Sequence, residues 1–277
     1  AHRWLNGEDL RADRDDPLPA RLLWQLDIDE GERQRRERAP VMLQPFNEAM
    51  TEAEVLAEGE RCLNCVCGLC VKDCEFLTKH CDSPKDLARR VKAGVLDELE
   101  MVYSCNVCEL CHTVCPVDLD TGAMLLTARQ RAVEAGVGPL KQHKPIVSYF
   151  NAGVSKMFTL TMPEPGKQKS KRLFFTGCAL PAVAPKATRE VYDHLRTNYP
   201  GTGILMHCCG APVEVIGMEK EFSTTMDAIR RSMDEQGAEE LLVACPDCYH
   251  TMHQGAPDLP LRFVWELLAD SWQPPQK

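Results

Sequence analysis

The chain has 277 residues, a formal net charge of −9, 44% hydrophobic but only 6% aromatic residues, and fifteen cysteines. The acidic balance argues against nucleic acid or an anionic membrane as the main partner, and no run of eighteen apolar residues is present to form a transmembrane segment. An odd, high cysteine count with recurring Cys-x2-Cys spacings argues against a secreted disulfide scaffold and for reduced, metal-binding thiols in a cytoplasmic protein.

Residues 1–50 read as a charged linker or docking segment, with a turn at Asp15-Asp16-Pro17-Leu18-Pro19 and a solvated charge run from Glu30 to Arg38. The stretch His2-Arg3-Trp4-Leu5-Asn6-Gly7-Glu8-Asp9 is similar to the segment that closes the FAD domain of flavin-dependent pyridine-nucleotide oxidoreductases. That likeness implies an FAD/NAD(P)H-dependent flavoprotein neighbour. The chain itself lacks GxGxxG and so has no dinucleotide site of that type. It begins with Ala1 rather than Met, as expected of a processed chain or a part of a longer polypeptide.

Thr51 and Glu54 form a capping box that opens a helix running through Ala57 to Arg61 and delivering Cys62. The run Cys62-Leu-Asn-Cys65-Val-Cys67-Gly-Leu-Cys70-Val-Lys-Asp-Cys74 follows. It can be read as Cys62, Cys65, Cys70 and Cys74, or as Cys67, Cys70 and Cys74 with Asn64 where another cysteine is needed. The first register, with Glu58-Gly59-Glu60-Arg61-Cys62 before it, resembles the cluster-binding region of the glutamate synthase small subunit, and we adopt it. It leaves Cys67 spare, and Glu75 stands where a proline is usual. Cys81 reads as a buried free thiol. Ser83 and Pro84 start a helix to about Ala93, and Gly94 ends it.

The central run is Cys105-Asn-Val-Cys108-Glu-Leu-Cys111-His-Thr-Val-Cys115-Pro116. Three thiolates on one tight loop can hold three corners of a cubane [4Fe–4S] cluster, and the fourth points to a second cluster. A structural zinc loop would pair its cysteines across a dozen or more residues instead. By the crossover rule one cluster takes Cys62, Cys65, Cys70 and Cys115, and the other Cys74, Cys105, Cys108 and Cys111. A helix from Ala123 to Ala135, ended by Gly136, follows; residues 144–163 read as a packed helix or a docking face. This module resembles the small iron–sulfur subunit of heterodisulfide reductases and the matching part of fumarate reductase iron–sulfur subunits, which implies an α-helical ferredoxin over 51–162 with two [4Fe–4S] clusters.

Residues 163–171 are a Pro/Gly/Lys linker, and 172–277 change character. A strand from Arg172 ending in Gly177-Cys178, a strand then turn from Gly203 to Gly210, and a third strand over Glu240–Cys248 alternate with helices at Pro185–Asn198 and Glu219–Gln236, with a last strand and helix within Leu261–Leu268. Alternation predicts a parallel α/β sheet, so the fold class expected for the whole chain is α plus α/β. Cys178, Cys208, Cys209, Cys245 and Cys248 then fall at the C-terminal strand ends, where such sheets place their sites. The Cys208-Cys209-Gly210 and distal Cys245-Pro-Asp-Cys248 pattern resembles the cysteine-rich CCG domain of the heterodisulfide reductase catalytic subunit and of related lactate-utilisation and glycerol-3-phosphate dehydrogenase subunits. That family often carries two such domains; this chain has one.

The resemblance implies a further iron–sulfur cluster, in some members a noncubane [4Fe–4S] group where disulfide reduction occurs, with Cys208 and Cys209 as candidate catalytic residues. Disulfide reduction also needs a proton donor, and His207, His250 and His253 lie beside the cysteines in sequence; His207, next to Cys208, is the candidate taken. The expected function is an iron–sulfur subunit of a heterodisulfide reductase-like oxidoreductase complex, fed by a flavoprotein and reducing a disulfide or similar acceptor. The alternative is a pure electron-transfer or scaffold subunit with catalysis on a partner.

Overall fold

The computed structural model describes residues 51–60, 62–94, 98–117 and 119–271. The charged segment 1–50 and its flavoprotein-like stretch lie outside the described residues. The chain divides into two compact units between Ala132 and Val133.

The first unit is built from short helices. Helix Glu52–Gly59 carries the expected capping box: Glu54 N–H donates to Thr51 Oγ1 and Thr51 N–H to Glu54 Oε2. It stops at Gly59, before the Arg61 that the sequence suggested. Helices Leu69–Asp73, Glu75–His80, Pro84–Gly94, Leu99–Ser104, Leu110–Thr113 and Thr121–Glu134 follow. Ser83 Oγ accepts from Asp86 N–H and caps Pro84–Gly94 as expected. Four of these helices span only four to six residues, too short to persist on propensity alone. Packing holds them: Leu77, Leu87, Met101, Val102, Leu125 and Ala128 form one core that also takes in Cys70 and Cys111.

The second unit is organised on a five-stranded sheet in the order β1-β3-β2-β4-β5. The strands are β1 (Leu160–Met162), β2 (Arg172–Phe175), β3 (Thr202–Met206), β4 (Glu240–Val243) and β5 (Leu261–Phe263). β2 through β5 pair in parallel, as the alternation predicted, and β1 adds an antiparallel edge. Three residues, exposed at both ends and half-buried in the middle, carry too little periodicity for β1 to be read from sequence.

Continuous apolar runs bury both faces of the central strands. Leu173 and Phe175 of β2 face Phe222, Met226, Ile229 and Met233 of helix Glu219–Gln236 in one core. Phe174, on the opposite side of the pleat, joins Leu195, Leu242 and Val264 in another. Helix Lys144–Gly153, read from sequence beside the helical module, packs in the second unit through the buried Phe150.

Candidate metal centres

In the first unit the two cysteine runs sort into two cavities. One, of about 350 Å3, is lined by Cys62, Cys65, Cys67, Cys70 and Cys115. The other, of about 190 Å3, is lined by Cys74, Cys105, Cys108 and Cys111. Each run therefore sends its last cysteine to the other run's cavity, the exchange that the spacing rule predicts.

Local backbone chemistry explains the placement. Left-handed residues at Asn64, Val107 and Glu109, and at Gly68, curl each loop around its thiols. The curl turns backbone donors inward: Asn64 N–H approaches Cys62 Sγ at 3.4 Å and Val107 N–H approaches Cys105 Sγ at 3.4 Å. Such donors stabilise thiolate charge. Arg129, only 3% exposed, reaches under the second loop, its guanidinium donating to the carbonyls of Val102 and Cys105.

Burial, with repulsion from Cys115, Cys65, Cys67 and Cys111, pushes the Cys70 thiol up to about 12. Desolvation also raises Cys65 and Cys105. Crowded sulfurs of this kind stay protonated until a cationic centre compensates their charge, as metal ligation does. Cys81 lies half-buried against the core with its Sγ 3.5 Å from Leu77 O, in keeping with a structural thiol.

The second unit gathers five cysteines at one sheet edge. Phe175 is in register with Leu205 and with Val243. The segments leaving β2, β3 and β4 therefore emerge side by side and carry Cys178, the Cys208–Cys209 pair and Cys245. Cys248 sits in the first turn of helix Pro246–Gly255. The thiols lie close enough to perturb one another along the path Cys178–Cys208–Cys209–Cys248–Cys245. A hydrogen bond from Cys178 pulls the Cys208 thiol down, but the bond with Cys209 and burial outweigh it and leave it at about 11. Cys178 and Cys209 are raised as well. None of the fifteen cysteines is in a disulfide.

Glycines clear the space around these sulfurs. A Cβ on Gly153 would lie 3.0 Å from Cys208 Cβ, and one on Gly177 would lie 3.1 Å from Cys248 Sγ. Gly210 has φ +88°, and a Cβ there would meet the Phe222 ring at 2.8 Å. The turn and this aromatic neighbour demand the glycine.

His207 is buried, and its Nδ1 lies 2.7 Å from Cys208 O. Burial lowers its pKa, so the neutral ring donates from Nδ1 and leaves Nε2 as the acceptor nitrogen. His207 also lines a cavity of about 290 Å3 with Lys220, Glu221 and Thr224. His250 and His253 lie exposed on helix Pro246–Gly255.

Tyr149 was not singled out in the sequence. It projects from helix Lys144–Gly153, and its hydroxyl donates to Cys178 Sγ; its own pKa rises to about 12 through that bond and burial. Its only sequence signal is membership of the apolar segment 144–163. The same helix is anchored by Cys208 N–H donating to Gly153 O at 3.1 Å.

The donor sets fit iron–sulfur groups. They are all-thiol, gathered in the first unit around two cavities with inward amide hydrogens and in the second at one sheet edge with glycine-cleared space. Comparison with known families agrees. Residues 61–120 match the family described as a 4Fe-4S dicluster domain, and residues 172–253 match the cysteine-rich domain family. No curated protein and no solved structure gives a significant match. Iron–sulfur binding and electron transfer are the functions these two domain types support. Among the described residues no helix is long and apolar enough to cross a membrane.

Proposed function

We propose that the chain is the iron–sulfur subunit of a cytoplasmic heterodisulfide reductase-like oxidoreductase complex. Electrons come from a flavoprotein partner that uses NAD(P)H. They enter two [4Fe–4S] clusters, one held by Cys62, Cys65, Cys70 and Cys115 and the other by Cys74, Cys105, Cys108 and Cys111. They leave through a further cluster held by Cys178, Cys208, Cys209, Cys245 and Cys248. The observation that carries this reading is the sorting of the first two cysteine sets into separate cavities, each completed by the other run's last cysteine.

When bound, the clusters supply one-electron transfer steps. Reducing a disulfide takes two electrons, supplied here by the flavoprotein, and two protons, and yields two thiols. The chain's own part is to hold the sulfurs, exclude water and handle protons. Tyr149 lies beside the Cys178 sulfur and favours its thiolate form. With its Nδ1 proton committed to the Cys208 carbonyl, His207 has Nε2 as the nitrogen that can take up a proton and hand it on.

The test is anaerobic purification with iron analysis and EPR of the oxidised and reduced protein. About twelve irons per chain are expected, four in each of three clusters. Cys208→Ala should remove only the third signal. Loss of the two cubane signals as well would end the two-module assignment. Electron shuttling without disulfide turnover in the presence of the partners would move catalysis to a partner subunit.

A further inference from the structure

The two cysteine loops of the first unit share a frame but differ in length. At their N-terminal ends Cys62 and Cys105 each accept an amide hydrogen from two residues on, Asn64 at φ +54° and Val107 at φ +51°. The next residues are Cys65 and Cys108. At their C-terminal ends Gly68 (φ +59°, ψ 9°) and Glu109 (φ +60°, ψ 6°) cap the helices that carry Cys70 and Cys111 as second residues. The residues before those caps are Cys67 and Cys108. Two extra residues separate the left-handed positions of the first loop, so two cysteines have a claim to the place that Cys108 fills alone.

Both cysteines line the same cavity. Neither is sealed away from the cavity: both are half-buried, while Val66 between them is 57% exposed.

We propose that Cys65 and Cys67 are alternative ligands for one corner of the group held by Cys62, Cys70 and Cys115, so that this site has a built-in spare thiol. This rests on the iron–sulfur reading above. Exchange breaks one sulfur–iron bond as another forms, and one proton passes from the incoming thiol to the departing thiolate. No electron is gained or lost.

The test uses the full chain, purified anaerobically, as Cys65→Gly, Cys67→Ala and the double variant. Glycine is chosen at position 65 because it tolerates the φ of +61° there, and neither replacement leaves an oxygen that could ligate iron. The readouts are iron per chain and the reduced and oxidised EPR spectra, with the signal of the Cys74, Cys105, Cys108 and Cys111 site as an internal control for folding. Each single variant should keep its full iron and both cubane signals, with altered g-values at the first site. The double variant should lose about four irons, or lose about one iron and replace the first-site reduced signal with a three-iron signal in the oxidised spectrum. Loss of the first-site signal in either single variant, with the control signal intact, overturns the redundancy. Retention of the unaltered signal in the double variant also overturns it. A wild-type chain with no four-iron signal would instead sink the underlying iron–sulfur reading.

Discussion

Tyr149 and Glu214 show how single side chains act on the cysteine-rich site and its surroundings. A hydroxyl donating to a cluster sulfur stabilises the more negative, reduced state. Tyr149→Phe should therefore shift the third EPR signal to a more negative midpoint in a redox titration, without unfolding the chain, because Tyr149 is 47% exposed. Glu214 follows the Cys208-Cys209-Gly210 turn. Burial, with repulsion from Glu219, raises its carboxyl from 4.5 to about 7, against a hydrogen bond from Thr251. The folded state thus holds a proton that the unfolded chain gives up near 4.5. Stability therefore falls as pH rises through the window from about 4.5 to 7, by on the order of 2–3 kcal/mol in total. Glu214→Gln should flatten that dependence in denaturant titrations at pH 5 and 8. Gly153→Ala sets a Cβ 3.0 Å from Cys208 Cβ and should lower the midpoint of thermal unfolding, at a cost of about 1–2 kcal/mol.

Helix Leu99–Ser104 shows how an element can be short and still well placed. It ends at Cys105, where four carbonyls lack helical partners. Arg129, from helix Thr121–Glu134, donates to Val102 O at 3.1 and 2.9 Å and also to Cys105 O. One buried guanidinium thus closes a helix end and fixes the start of the cysteine loop. Arg129→Ala should cost roughly 3 kcal/mol, since it leaves carbonyls buried without a charged donor. It should also broaden or abolish the EPR signal of the Cys105 site while the cysteine-rich site keeps its own. Sequence spacing located this loop, but Arg129 sat within an ordinary helical stretch with nothing to mark it.

The two units differ in what would survive metal loss. The first has a small core and several four- to six-residue helices strung between cysteines. The second has a five-stranded sheet with cores on both faces. Metal binding that draws ligands from several short elements is folding free energy for that unit. Anaerobic chelation of iron should therefore remove much of the helical circular dichroism and make residues 51–132 protease-sensitive. A fragment containing the sheet should persist; equal loss of both units would contradict the expectation.

Cysteine spacing by itself determined the two cysteine runs, their crossover and the third cysteine set, because ligand geometry imposes local spacings that chain order preserves. Apolar runs and caps likewise revealed β2 to β5 and the helices Pro185–Asn198 and Glu219–Gln236, since backbone periodicity is a local property. Only the tertiary structure decided that helix Lys144–Gly153 packs in the second unit and brings Tyr149 to Cys178. Only there does Gly210 meet Phe222, and only there do both Cys65 and Cys67 line one cavity. Those facts depend on which distant surfaces meet, and packing between residues far apart in the chain leaves no periodic trace in its order.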